Sequence, residues 1–304
     1  FIFASLGTLC VGAFATPLVG LLGGGNEVLG FRLTIVLFAV LSVAIFWFTF
    51  ATTRERIRLK PHTATIGEDF SALAKNISWI VLVATGIVIV VGLVARFASI
   101  VFYIKYYVQD TGDALFWIFD KTAVLTSIGL IGQLIGALIT PMLSARFEKH
   151  HLIIGVNVLH AVLLGICFFV PPDQFALIVL VHSLGILTFG VTITLLFSMY
   201  TDCAEYGEWK TGKNTAGLTV SASMFSLKFG SAVGGALPGF VLAGFGFVAN
   251  AAQTDQAIVG IRLMFNVLPA IFFLAGGMLM FLYKIDRHTL SRIEAELHER
   301  RGTG

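Results

Sequence analysis

Eight apolar stretches, most about twenty residues long, constrain this chain more than any other feature. They cover residues 1–22, 33–51, 78–102, 123–143, 152–171, 175–199, 217–244 and 258–283. About 20 apolar residues in a helix span the hydrocarbon core of a bilayer, where a segment must satisfy its own backbone groups. The pattern predicts an all-α polytopic membrane protein with about eight transmembrane helices. Composition agrees, with 57% hydrophobic and 12% charged residues and a mean hydropathy of +0.91. Soluble domains carry about 25% charged residues, so a water-soluble core is excluded and the lipid bilayer is the first expected partner. The net charge of +3 gives no reason to expect a nucleic-acid partner. Cys10, Cys167 and Cys203 are odd in number and scattered, which gives neither a disulfide framework nor a metal spacing.

Short basic connections set the orientation. Arg54, Arg56, Arg58, Lys60 and Lys75 fall in 52–77, Arg146 and Lys149 in 144–151, Lys210 and Lys213 in 200–216, and Lys284, Arg287, Arg292, Arg300 and Arg301 after the last span. The alternate connections carry only Arg32, Lys105, Lys121 and Arg262. The basic connections and both chain ends are therefore expected in the cytoplasm. In 52–77, Phe70, Leu73 and Ala74 share a helical face, so a short surface helix is expected there. The tail reads as an amphipathic helix with Leu290, Ile293 and Leu297 on one side and Ser291-x-x-Glu294 as its capping box.

Charge inside the spans marks the candidate sites. Lys228 interrupts Met-Phe-Ser-Leu-Lys-Phe-Gly-Ser deep in the seventh span. A cation at mid-bilayer costs roughly 2.5–3.5 kcal/mol, so it should face a polar interior. Met224, Lys228, Ser231 and Gly235 fall on one helical stripe, with Ser223 and Leu227 flanking it. Arg96 sits near the end of the third span and either lines a cavity or snorkels to the headgroups. Tyr103, Tyr106 and Tyr107 just beyond it read as an interfacial belt. Gln133, Asn157, His160 and His182 read as interhelical hydrogen-bonding groups. Gly132-x-x-x-Gly136, Gly230-x-x-x-Gly234 and Gly235-x-x-x-Gly239 predict close helix approach, and Gly234-Gly235 with Pro238 predicts a kink. No His-Glu-x-x-His or Gly-x-Ser-x-Gly occurs, and His150-His151 has the wrong spacing for one helical face. An enzyme is not expected, nor is a cofactor or bound metal.

Asp202, Glu205, Glu208, Lys210 and Lys213 crowd into twelve residues, read as a short loop between two spans. The string Asp202-x-x-Glu205-Tyr206-Gly207-Glu208-Trp209-Lys210-Thr211-Gly212, followed by Lys228-x-Gly230, resembles the signature of the glycoside-pentoside-hexuronide:cation symporters. These form the melibiose-permease-like branch of the major facilitator superfamily. The resemblance covers nearly the whole chain, but Asn214 and Ala216 stand where an Arg and a Glu commonly follow the motif.

The resemblance implies a major facilitator fold from which the first four spans are missing. Residues 1–51 would be the last two helices of the N-terminal bundle and 52–77 the central loop. Residues 78–285 would be a complete six-helix C-terminal bundle and 286–304 a cytoplasmic tail. The chain opens on Phe-Ile-Phe-Ala-Ser inside an apolar run, which fits an N-terminally trimmed reading. The implied activity is symport of a glycoside, pentoside or hexuronide with a monovalent cation, Na⁺ or H⁺, across a bacterial inner membrane by alternating access. Asp202, Glu205 and Glu208 would form a cytoplasmic gate with Arg146. The coupling cation would sit at acidic residues absent from this chain. A lysolipid-type symporter of the same fold and a non-transporting scaffold or sensor are the alternatives, and the insertion cost of Lys228 counts against a scaffold.

Overall fold

The computed structural model describes residues 2–54, 73–110, 115, 119–212 and 216–302. Eight helices long and apolar enough to cross a membrane occur among them. In chain order they are α1 (Ile2–Gly23), α2 (Glu27–Thr52), α3 (Ile77–Tyr107), α4 (Lys121–Arg146), α5 (Lys149–Phe169), α6 (Phe175–Thr211), α7 (Ala216–Gly244) and α8 (Asp255–Leu282). The tail forms α9 (Arg287–Gly302). Each of the eight expected spans corresponds to one of these helices. The surface helix expected around Phe70 lies outside the described residues apart from its end at Leu73 and Ala74, and Lys60 and Lys213 are likewise outside.

Polar side chains start several of the helices. Asn26, Asn76 and Asp120 accept from the backbone N–H three residues on, at 3.1, 3.1 and 2.7 Å, satisfying donors that a helix start leaves free. The tail is capped the same way by Asp286, whose carboxylate accepts from the Thr289 N–H at 2.8 Å. Ser291 is therefore inside α9, and the capping box expected at Ser291-x-x-Glu294 does not form. Asp286 wins because it directly precedes the first helical turn.

Helices α3 to α8 pack as one bundle, with α1 against α4 and α2 against α1. Leu82, Ile89, Ile153, Leu196, Phe273 and Met280 fill its interior. Small residues set the tightest contacts. A Cβ at Gly136 would lie 2.0 Å from the Leu187 carbonyl oxygen, and one at Gly234 would lie 2.6 Å from that of Val91. The pairs Gly132/Gly136 and Gly230/Gly234 thus let α4 approach α6 and α7 approach α3. Gly235 and Gly239 face open space instead, so among the described residues the third expected contact is absent. Helix α7 also runs unbroken through Gly234-Gly235 and Pro238.

The largest departure from the expected pattern is α6. At 37 residues it is about 56 Å long, far more than the ~30 Å hydrocarbon core. The segment expected as a charged loop is its final three turns. Gly212, with φ of 68°, ends it and donates to the Glu208 carbonyl at 2.8 Å. That left-handed conformation strains any residue with a Cβ.

Candidate functional site

Lys228 lies near the middle of α7, about 18 Å from its first residue, and is exposed. Its helix turns Ser223, Ser226, Gly230 and Gly234 inward and leaves Ser221, Phe225, Phe229, Ala232, Gly235, Ala236 and Gly239 exposed around the lysine. Among the described residues Lys228 forms no ion pair. An ammonium at mid-span is costly in hydrocarbon, which argues for an aqueous or polar surface opposite it.

The flanking residues are divided between two faces. Ser223 is fully buried; its hydroxyl accepts from Trp79 Nε1 at 3.3 Å and donates to the Thr219 carbonyl at 2.7 Å. It joins α7 to α3 and does not share the surface of Lys228, correcting its expected place beside the site. Leu227 is half-buried, with its Cδ2 beside Gly86 of α3. Met224 is half-buried and Gly235 exposed, so the stripe through Lys228 is partly open.

Arg96 neither snorkels nor lines an open surface. It is 1% exposed and its guanidinium is held inside the bundle. Nη1 donates to the Phe265 carbonyl and, at 3.4 Å, to Asn266 Oδ1, while Nη2 lies 2.9 Å from His182 Nδ1. Its Cζ stands 3.9 Å from the Phe265 ring centre. A guanidinium can only donate, so His182 accepts through Nδ1 and is neutral with its proton on Nε2. Phe265 and Asn266 belong to the π-helical turn Leu263–Val267, and Tyr103–Tyr107 form a second such turn in α3. Such turns break the regular i→i−4 ladder, here where the Phe265 carbonyl meets Arg96. Tyr103 stacks on Phe265 with ring centres 4.1 Å apart and is fully buried, so it belongs to the core and not to an interfacial belt. The sequence marks His182 as an interhelical hydrogen-bonding group but does not pair it, Phe265 or Asn266 with Arg96, because these residues come from α6 and α8, far along the chain.

Polar groups also join helices deeper in the bundle. His160 Nδ1 pairs with Thr188 Oγ1 at 3.0 Å, and Thr192 donates to Asn157 Oδ1 at 3.4 Å. For these residues the interhelical hydrogen bonds expected from the sequence are present.

The acidic end of α6 meets a different cation from the one expected. Lys149 Nζ lies 2.7 Å from Asp202 Oδ2 and 2.9 Å from Ser198 Oγ. Arg146 is exposed at the end of α4, and among the described residues it is not an Asp202 partner. Lys149 starts α5 and lies against the face of α6 that carries Ser198 and Asp202 one turn apart. The sequence put both cations in one connection, and only the helix start at Lys149 separates them. Glu205 and Glu208 are half-buried on the following turns.

Lys149 and Asp202 line a cleft of about 230 Å³ with Glu148, Asp286, Arg287 and Glu294. Arg287 of the tail donates to the Ala145 and Phe147 carbonyls at 3.2 and 3.3 Å, fastening the tail to the α4–α5 turn. Outside the spans, the Thr289 hydroxyl and then its N–H hold the Asp286 carboxyl below the usual carboxylate range, while burial pushes the Asp120 carboxyl up. On the opposite face Lys105 donates to Asn250 at 3.0 Å, and Tyr107 donates to the Val170 carbonyl at 2.8 Å. The basic connections around 146–149, 210 and the tail therefore share one side. Among the described residues no cluster of three or more His, Cys, Asp or Glu could hold a metal ion.

Comparison with known proteins gives this arrangement a family. The chain is 29% identical over 294 residues to an isoprimeverose transporter of Lactiplantibacillus pentosus, covering 93% of this chain and 58% of that protein. It is 30% identical to the inner membrane symporter YicJ of Escherichia coli strain K12, covering 98% and 63%. It is 27% identical to a glucuronide carrier protein homolog of the same strain, covering 99% and 64%. The chain thus spans about three fifths of the length of these relatives. Residues 1–287 match the family described as MFS/sugar transport protein. With eight apolar helices and a match over almost its full length, this multi-pass membrane chain belongs to the MFS/sugar transport protein family.

Proposed function

We propose that the intact protein is a secondary active transporter that carries a sugar or glycoside together with a monovalent cation, Na⁺ or H⁺, by alternating access. Lys228 carries this reading. An exposed ammonium at the middle of a span, without an ion pair among the described residues, is explained by a polar solute opposite it. Sugar hydroxyls and a sugar acid's carboxylate both accept from an ammonium. The names of the relatives, an isoprimeverose transporter, a symporter and a glucuronide carrier homolog, favour a sugar over a lysolipid. In this reading the coupling cation binds carboxylates of helices beyond this chain, and Lys228 faces that site across the transport path. The basic side is cytoplasmic, because Lys and Arg concentrate there, and the membrane is the bacterial inner membrane.

Lys149 and Asp202 then act as a gate on the basic side. The pair joins α5 to α6 when that side is closed and separates when it opens. A half-buried pair contributes only a few kcal/mol at most, which is enough to bias two states of similar energy.

Uptake in vesicles containing the intact protein tests the reading. An imposed Na⁺ or H⁺ gradient should drive accumulation of a glycoside, pentoside or hexuronide, and an ionophore should abolish it. Equal uptake with and without either gradient would remove symport.

A further inference from the structure

Three spans reach one patch of the basic side with a lysine each. Lys75 lies two residues before α3, Lys210 is in the last turn of α6, and Lys284 lies two residues beyond α8. Together with Arg292 of α9 they line a cleft of about 380 Å³ that also presents Tyr206 and Trp209. All four cations are exposed. Among the described residues the three lysines form no ion pair.

The local acid does not cancel this charge. Glu296 accepts from Trp209 Nε1 at 2.6 Å and lies 3.6 Å from Arg292 Nε. It offsets one of four positive charges and also fixes the tail over the cleft, with the Arg292 Cζ 5.2 Å from the Trp209 ring centre. Lys210 Nζ lies 5.7 Å from the Tyr206 ring centre. Glu205 and Glu208, half-buried on the same helix, contribute further negative charge.

Depth identifies the ligand chemistry. Lys75 and Lys284 lie just beyond the ends of their spans, where lipid phosphates begin, and the end of α6 that continues past the hydrocarbon brings Lys210, Tyr206 and Trp209 to them. A basic pocket between span ends, rimmed by aromatic rings, suits a phosphate diester whose acyl chains run alongside the helices. The geometry points to a binding site for an anionic phospholipid headgroup, its phosphate held among Lys75, Lys210, Lys284 and Arg292. The bound headgroup connects three spans to the tail helix. Nothing in this assignment depends on which sugar or cation is carried.

Native mass spectrometry of the intact protein, offered equal phosphatidylglycerol and phosphatidylcholine, tests it. The wild-type protein should retain phosphatidylglycerol preferentially. Each lysine near the surface contributes about fivefold in affinity, so Lys75→Gln, Lys210→Gln and Lys284→Gln together should remove most of a preference on the order of a hundredfold. The corresponding arginine triple should keep it, and neutralising Arg32, Arg54 and Arg146 should leave it unchanged. Lys284→Gln alone, about fivefold weaker, tests the site even if the triple is unstable. An undiminished preference in both glutamine variants overturns the site. Displacement of the lipid by excess inorganic phosphate overturns the lipid assignment in favour of a free phosphate site.

Discussion

Lys149 Nζ sits 2.7 Å from Asp202 Oδ2, joining the first turn of α5 to the part of α6 that extends beyond the hydrocarbon. The side chains are 29% and 12% exposed, so the pair lies between a solvated surface bridge and a buried one. Removing either partner should cost roughly 1–3 kcal/mol in whichever transport state keeps the pair closed. Lys149→Ala and Asp202→Ala should each shift the intact protein toward opening on the basic side, and the charge swap should partly restore the balance. Arg146→Ala should have little effect. A double-mutant cycle on uptake measures the coupling, and its absence between Lys149 and Asp202 would remove the gate.

Lys228 should separate function from stability. Because it is exposed and forms no ion pair among the described residues, Lys228→Ala should alter thermal stability by no more than about 0.5 kcal/mol while abolishing gradient-driven uptake. Lys228→Arg should also fail if the solute requires a compact ammonium in place of a planar fork. Melting temperature and uptake measured on the same preparations decide the matter. Normal uptake by Lys228→Ala would end its assigned role.

Arg96 should behave in the opposite way. Arg96→Leu leaves the Phe265 carbonyl and His182 Nδ1 without their donor, at about 1–3 kcal/mol for each unsatisfied group, so folded yield and melting temperature should fall together. Arg96→Lys should recover little, because one ammonium cannot reproduce a fork that meets Phe265, Asn266 and His182 at once. Unchanged stability of Arg96→Leu would show that the buried network does not hold the bundle together.

Asp286 gives the tail an acid-sensitive start. Its carboxyl is held below the ordinary value by Thr289. The cap contribution is therefore fully present above the unfolded carboxylate value and is lost as pH falls below it through the depressed folded one. Asp286→Ala should loosen α9 by about 1 kcal/mol at neutral pH, whereas Ser291→Ala should not. Hydrogen exchange across 287–299 at neutral and acidic pH provides the measurement.

The sequence by itself determined the membrane class, the number of spans and their order, because a helix that crosses hydrocarbon must be long and apolar and each leaves its mark locally. The charge alternation likewise separated the two membrane faces, since the basic residues lie at span ends. The motif from Asp202 to Gly212, with Lys228 beyond it, identified the family. What a single span could not reveal was which way a side chain turns and what it meets. Ser223 lies one helical position from Met224 yet turns toward Trp79, and Arg96 reads as a snorkelling residue until α6 and α8 bring His182 and Phe265 to it. Asp202 could be assigned to Lys149 over Arg146 only once α6 was seen to continue as a helix past the membrane. Those choices depend on contacts between residues 53 to 169 positions apart. Local pattern carries no information about such contacts, and the packing of the bundle decides them.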